Sequence, residues 1–273
     1  GITTRTLRGR FDEKVAAAAS AGFDRMEVWA DELTAYPGGP VAAKAVMDAH
    51  GIDFAALQLL RDIECQPPER ARAALDEAER LMQLMNAVGA ELLLVCATFA
   101  PDSYDDPAQA ARDLHALGEL AHRYRVRIGF EALSFSRWIP DVAANWRIVA
   151  AAAHPSVGIV LDSAHFFLTR SSYASIDAIP GDRIAFVQIA DLPTAEGDRI
   201  TLNRHRRLFP GEGIFPIDRF LAHVLATGAS CCVSLEIFND EYAQSDPIAV
   251  AQSGIRALRK TLAAAKDQRG DPP

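Results

Sequence analysis

Eight short apolar runs are spaced along the chain, and a longer amphipathic stretch follows each one. The runs cover residues 2–7, 25–29, 52–57, 91–96, 126–130, 157–161, 184–189 and 230–237. They are β-branched or nearly continuous in apolar character, as strands buried on both faces must be. The intervening stretches, 10–21, 40–50, 69–88, 107–124, 141–153, 171–179, 216–227 and 247–265, carry apolar residues at helical spacing. Gly22, Gly51 and Gly89 directly follow three of them, as C-terminal caps do. Strand–helix alternation implies a parallel sheet, and eight repeats imply that it closes. The expected fold is α/β, a (β/α)8 TIM barrel in a single domain over residues 1–265, with a frayed tail at 266–273. An open doubly wound sheet would announce itself with a glycine-rich first turn, and no GxGxxG is present.

A chain of 273 residues is ordinary for one such barrel. Hydrophobic residues make up 49% and charged residues 23%, enough to bury a core without cross-links. The formal charge of −8 argues against nucleic acid as a partner. Cys65, Cys96, Cys231 and Cys232 show no metal-ligand spacing, so a reducing compartment is expected. Cys96, Cys231 and Cys232 sit in apolar runs and read as buried, inert thiols. No stretch reaches the roughly 18 apolar residues of a membrane span. The first residues, GITTRTLRGR, have no long apolar core of a secretion signal. A cytoplasmic protein with no membrane partner is expected, and homo-oligomerisation stays open.

Barrel enzymes place their chemistry at the C-terminal ends of the strands. The fifth run closes on Glu131, the sixth on Asp162, the seventh on Gln188 and the eighth on Glu236. One acid in such a place is as often a helix cap or a solvated loop charge. Four oxygen-bearing side chains on consecutive strand ends are a different matter. Three converging carboxylates repel, and a cation removes the repulsion. An all-oxygen set suits Mg2+, Mn2+ or Co2+ better than a structural zinc ion.

His165 follows Asp162 by three residues and reads as a general acid or base at the same rim, or as a group that orients a carboxylate. Arg61 and Asp62 follow the third run, either as a surface ion pair or with Arg61 facing a ligand. The longest connection, 190–214, carries Asn203-Arg204-His205-Arg206-Arg207 and then a PGEG turn. Arginines there could fork onto a substrate carboxylate. The lysines, Lys14, Lys44, Lys260 and Lys266, all lie away from the strand ends, so a Schiff-base route has no nucleophile.

Glutamate after RIGF, then LDSAH, FVQIAD and SLEIFND, taken in this order, resemble the sugar-phosphate isomerase/epimerase-like barrels related to xylose isomerase. Within that group they resemble the bacterial 3-dehydroshikimate dehydratases. The similarity also runs through AGFDRMEV, LQLLRDIE and NRHRRLFPGEG, and so over nearly the whole chain. It implies metal ligation by Glu131, Asp162, Gln188 and Glu236, catalysis by His165 and Glu131, and substrate contacts from Arg61, Asn203, His205 and Arg207. It implies a divalent cation cofactor and a small carboxylate substrate, 3-dehydroshikimate, dehydrated to protocatechuate through an enolate. Some members carry a dioxygenase-like domain after the barrel, and none is expected here. Leu59-Leu60, Arg206 and Leu133 depart from the residues usual in relatives. The same site could serve a keto-sugar isomerase or epimerase, or an inosose-type dehydratase. A barrel kept only for binding is the non-enzymatic alternative.

Overall fold

The computed structural model describes residues 1–268. Eight parallel strands close in sequence order: β1 (Ile2–Thr3), β2 (Arg25–Trp29), β3 (Asp53–Arg61), β4 (Leu92–Cys96), β5 (Arg127–Glu131), β6 (Val157–Asp162), β7 (Ile184–Ile189) and β8 (Val233–Leu235). Ile2 closes the ring, paired with Met26 on one side and Leu235 on the other. The barrel expected from the alternation is therefore present. β4, β6 and β7 are buried along their whole length, which is why their sequences read as unbroken apolar runs. Where β5 and β6 meet, Gly129 faces Gly158. A Cβ on Gly158 would come within 2.8 Å of the Arg183 carbonyl oxygen, so the close approach of β7 requires glycine there.

The outer helices follow the expected stretches closely. They are α1 (Phe11–Ala21), α3 (Gly39–Ala49), α4 (Pro68–Val88), α5 (Pro107–Tyr124), α6 (Val142–Ala152), α10 (Ile217–Ala226) and α11 (Pro247–Asp267). Side chains of Asp106 and Asp246 cap α5 and α11 by accepting the Gln109 and Ala249 amides, each worth about 1 kcal/mol. α4 ends at Gly89, whose left-handed backbone (φ 74°) costs glycine little.

Several boundaries differ from the sequence reading. The first run is strand only over Ile2–Thr3 and then turns into a 3-10 helix, Thr4–Thr6. The eighth is strand only over Val233–Leu235, while the third continues to Arg61. Stretch 171–179 keeps a single helical turn, α8 (Ala174–Asp177). Three short helices were not anticipated: α2 (Ala30–Ala35), α7 (Ser163–Leu168) and α9 (Arg199–His205). α11 runs to Asp267, two residues into the expected tail, and 269–273 lie outside the described residues. Cys231 and Cys232 are half-buried rather than enclosed, whereas Cys65 and Cys96 are buried. Among the described residues, no helix is long and apolar enough to cross a membrane.

Candidate active site

The four expected strand-end side chains converge. Glu131 ends β5, Asp162 ends β6, Gln188 is next to last in β7, and Glu236 follows β8. All are buried. Arg207 joins two of them: its Nη1 donates to Asp162 Oδ2 and to Glu236 Oε2, both at 2.8 Å. Its Nη2 donates to Asn203 Oδ1 at 3.0 Å. One ligating atom each from Glu131, Asp162 and His165 lie within 4.8 Å of one another. The cap reading of Asp162 holds as well, since its Oδ1 accepts the His165 amide at the start of α7 (3.0 Å).

Two further residues complete the cluster. Gln188 Nε2 donates to Glu27 Oε2 at 2.8 Å. Gln58 Nε2 donates to the same Glu27 oxygen and to Glu236 Oε1, the latter at 3.1 Å. The sequence reading passed over both: Glu27 lies inside its apolar run, and at the third run, which Gln58 directly follows, the reading went on to Arg61 instead. The available signal was a charged or amide residue in the middle of a strand whose neighbours are apolar.

Burial sets the electrostatics. It pushes the Glu131 carboxyl well above its usual range, helped by the fields of Glu236 and Asp162. Glu236 is raised for the same first reason, with Arg207 opposing. Burial would also raise Asp162, but the Arg207 guanidinium and His165 more than offset it, and Asp162 falls below the usual range. Glu27 is pushed up to about 8 by burial and by Glu236. His165 is pushed down to about 4, again by burial first. The Ser134 amide donates to His165 Nδ1 at 2.9 Å, and the Arg207 guanidinium lies 3.5 Å from Nε2. That nitrogen lies 3.8 Å from Glu131 Oε1.

These residues fit a divalent cation. Glu131, Asp162 and Glu236 face one buried guanidinium, Arg207. Three carboxylates against one cation leave two negative charges when all are ionised, the charge that one divalent ion neutralises. Gln188 Oε1 is buried with no hydrogen-bond partner among the described residues, a donor atom with nothing to bind. The set is all oxygen, with an imidazole beside it.

The cluster opens on a cavity of about 500 Å³. Glu131, His165, Arg207 and Glu236 reach its wall, while Asp162 and Gln188 do not. Much of the wall is aromatic: Trp29, Phe99, Phe135 and Phe238. Phe99 and Phe135 meet edge to face, and Phe135 meets His165 in the same way. Arg61 stands exposed at the mouth with its guanidinium over Phe99. It makes no ion pair among the described residues, and Asp62 instead accepts the Thr98 hydroxyl at 2.8 Å.

The connection 190–214 contributes less freely than expected. Asn203 is buried on α9, between Arg207 and the Ser134 hydroxyl (3.1 Å). Arg199 ties α9 to the carbonyl of Ser134 at 2.8 Å. His205 lines the cavity mouth but its Nδ1 faces Asp240 at 3.0 Å. Arg207, expected to fork onto a substrate carboxylate, is committed to Asp162 and Glu236, the acids that outcompete solvent for a buried guanidinium. The PGEG turn is pinned by Asp191, whose carboxylate accepts the amides of Gly211, Gly213 and Phe215, each at 3.1 Å.

Known proteins share this architecture. A curated 3-dehydroshikimate dehydratase of Pseudomonas putida is 38% identical over 94% of this chain. The chain spans 40% of the length of that relative. Among solved structures, a xylose isomerase-like TIM barrel/4-hydroxyphenylpyruvate dioxygenase fusion protein matches with a TM-score of 0.95 and 37% identity, covering 100% of this chain and 44% of the other. The IOLI protein with a bound zinc atom matches at 0.87 and 19% identity over 97% of both chains, a likeness of fold. The sequence profile of the xylose isomerase-like TIM barrel covers residues 15–261, and the chain belongs to that family.

Proposed function

We propose that this chain dehydrates 3-dehydroshikimate to protocatechuate, using a divalent cation (Mg2+, Mn2+ or Co2+) held by Glu131, Asp162, Gln188 and Glu236. The observation that carries the reading is the buried surplus of carboxylate over guanidinium beside a neutral histidine, at the base of an aromatic-walled cavity. The name of the Pseudomonas putida relative, matched over 94% of this chain, supports the same substrate.

The substrate offers a ring ketone, a carbon-bound proton beside it, a β-hydroxyl and a carboxylate. Elimination takes the proton from carbon and releases the hydroxyl as water, and the ring then becomes aromatic. When bound, the cation supplies positive charge where negative charge grows on the ketone oxygen. His165 and Glu131 would move the proton: the imidazole Nε2 lies 3.8 Å from Glu131 Oε1, and both side chains reach the cavity wall. Arg61, exposed and without an acidic partner among the described residues, takes the substrate carboxylate at the cavity mouth. Asn203 and His205 supply polar contacts from α9. Phe99 and Phe135 suit a flat ring better than an open polyol.

The test is an assay of chelator-treated protein with 3-dehydroshikimate, following the aromatic absorbance of protocatechuate as Mg2+, Mn2+ or Co2+ is added. Product formed only with a cation present is the expected result. Folded protein that gives no product with any of the three would overturn the assignment.

A further inference from the structure

We propose that Glu27 is a positioning residue for the cation site: it holds the Gln188 amide with its nitrogen turned away and its oxygen free, and so sets the affinity for a divalent ion. This rests on the reading of Gln188 as a ligand.

A primary amide presents a donor end and an acceptor end of nearly the same shape, and only its neighbours decide which faces where. Only the oxygen can bind a cation. Glu27 lies mid-strand on β2, fully buried, and its Oε2 accepts Gln188 Nε2 at 2.8 Å. The two ends of the amide lie on opposite edges of its plane. The oxygen is thereby turned from Glu27, and it has no partner among the described residues. Oε2 can accept from the amide whether or not Glu27 carries a proton.

The same oxygen accepts Gln58 Nε2, and Gln58 reaches on to Glu236 Oε1 at 3.1 Å. Glu27 thus orients one proposed ligand directly and a second through Gln58. Glu27 Oε1 is buried and unpartnered among the described residues, so the carboxyl is committed to these two amides through Oε2 alone. Residues that orient metal ligands in this way typically change affinity by 10–100-fold when lost.

The experiment measures Mn2+ binding to chelator-treated wild type, Glu27→Met and Glu27→Gln, by calorimetry or by the resonance of free Mn2+, with the metal-free melting temperature of each. Glu27→Met keeps the length and removes the acceptor, and should bind Mn2+ roughly 10–100-fold more weakly. Glu27→Gln can still accept from both amides, and should stay within about threefold of wild type. At saturating Mn2+ the Met variant should recover most of its dehydratase activity. Wild-type affinity in Glu27→Met would overturn the proposal. So would equal loss in Met and Gln, since the acceptor would then not be what matters. Wild type that binds no Mn2+ would instead overturn the cation site itself. Should Glu27→Met fail to fold, Glu27→Asp withdraws the acceptor by one methylene and must weaken Mn2+ binding about tenfold; undiminished binding there overturns the proposal equally.

Discussion

The guanidinium of Arg207 lies 2.8 Å from the carboxylate of Asp162, and both side chains are buried. The same nitrogen is 2.8 Å from Glu236, so one positive charge holds two acids together. Removing a partner from a buried ion pair typically costs about 3–5 kcal/mol, because the remaining charge is left uncompensated. Arg207→Met should therefore lose roughly 10 °C in melting temperature when chelated. Mn2+ should restore much of that loss, by supplying the missing positive charge. Thermal denaturation with and without chelator checks this. An equal loss in both conditions would contradict it.

Glu131→Gln should fold normally, since the carboxyl is already pushed towards its neutral form and the amide is the same size. Its activity should fall by about 10²-fold or more, the usual weight of a proton-handling group. Circular dichroism and the protocatechuate assay separate the two effects. A variant with wild-type turnover would remove Glu131 from the chemistry.

Glu64 gives a pH dependence independent of the proposed cation site. It is buried after β3, accepts the Thr98 amide through Oε1, and has no partner for Oε2 among the described residues. Burial pushes it up from 4.5 to about 8. Between those values the folded chain keeps the proton and the unfolded chain releases it. Its stabilising contribution is complete below about pH 4.5 and lost as the pH rises through 8. Glu64→Gln keeps the acceptor and has no proton to lose. It should match wild type near pH 5 and exceed it by about 2–5 kcal/mol near pH 9. Urea denaturation at both pH values is the measurement, and a difference that does not change with pH would refute it.

Asp191→Ala removes the acceptor shared by the Gly211, Gly213 and Phe215 amides. At about 1 kcal/mol for each bond, the turn should loosen by about 3 kcal/mol. Hydrogen exchange should quicken at residues 211–215 and stay unchanged in β5 and β6. Uniform change across the barrel would show that Asp191 supports the whole fold instead.

Glu131, Asp162, Gln188 and Glu236 were legible because each polar residue closes an apolar run, where a parallel barrel must turn its chemistry outward. Glu27 was not, because pattern reading assigns the middle of a buried strand to packing, and Gln58 was not, because the third strand continues past it to Arg61. An interior acid becomes intelligible only once its partners from β3 and β7 are beside it. α9 was hidden in a connection read as loop, although Asp198 caps it by accepting the Thr201 amide at 2.7 Å. The basic run 203–207 was seen, but not its division of labour. One residue's step past the end of α9 decides that Arg206 is exposed while Arg207 is enclosed among acids. The truncation of the first strand at Thr3 has no sequence signal in composition alone, since Thr4–Thr6 would serve as strand equally well.

The strand-end acids stand at the rim of β5–β8 and Arg61 at the end of β3, whereas Asn203 and His205 stand on α9, in the connection above the ring. The proposed reactive groups and part of the cavity mouth are thus carried on separate stretches of chain, joined by Arg207. Drift at the exposed His205 would alter the cavity mouth alone, whereas exchange of the whole stretch 190–214 would take Arg207 with it and release Asp162 and Glu236 from one another.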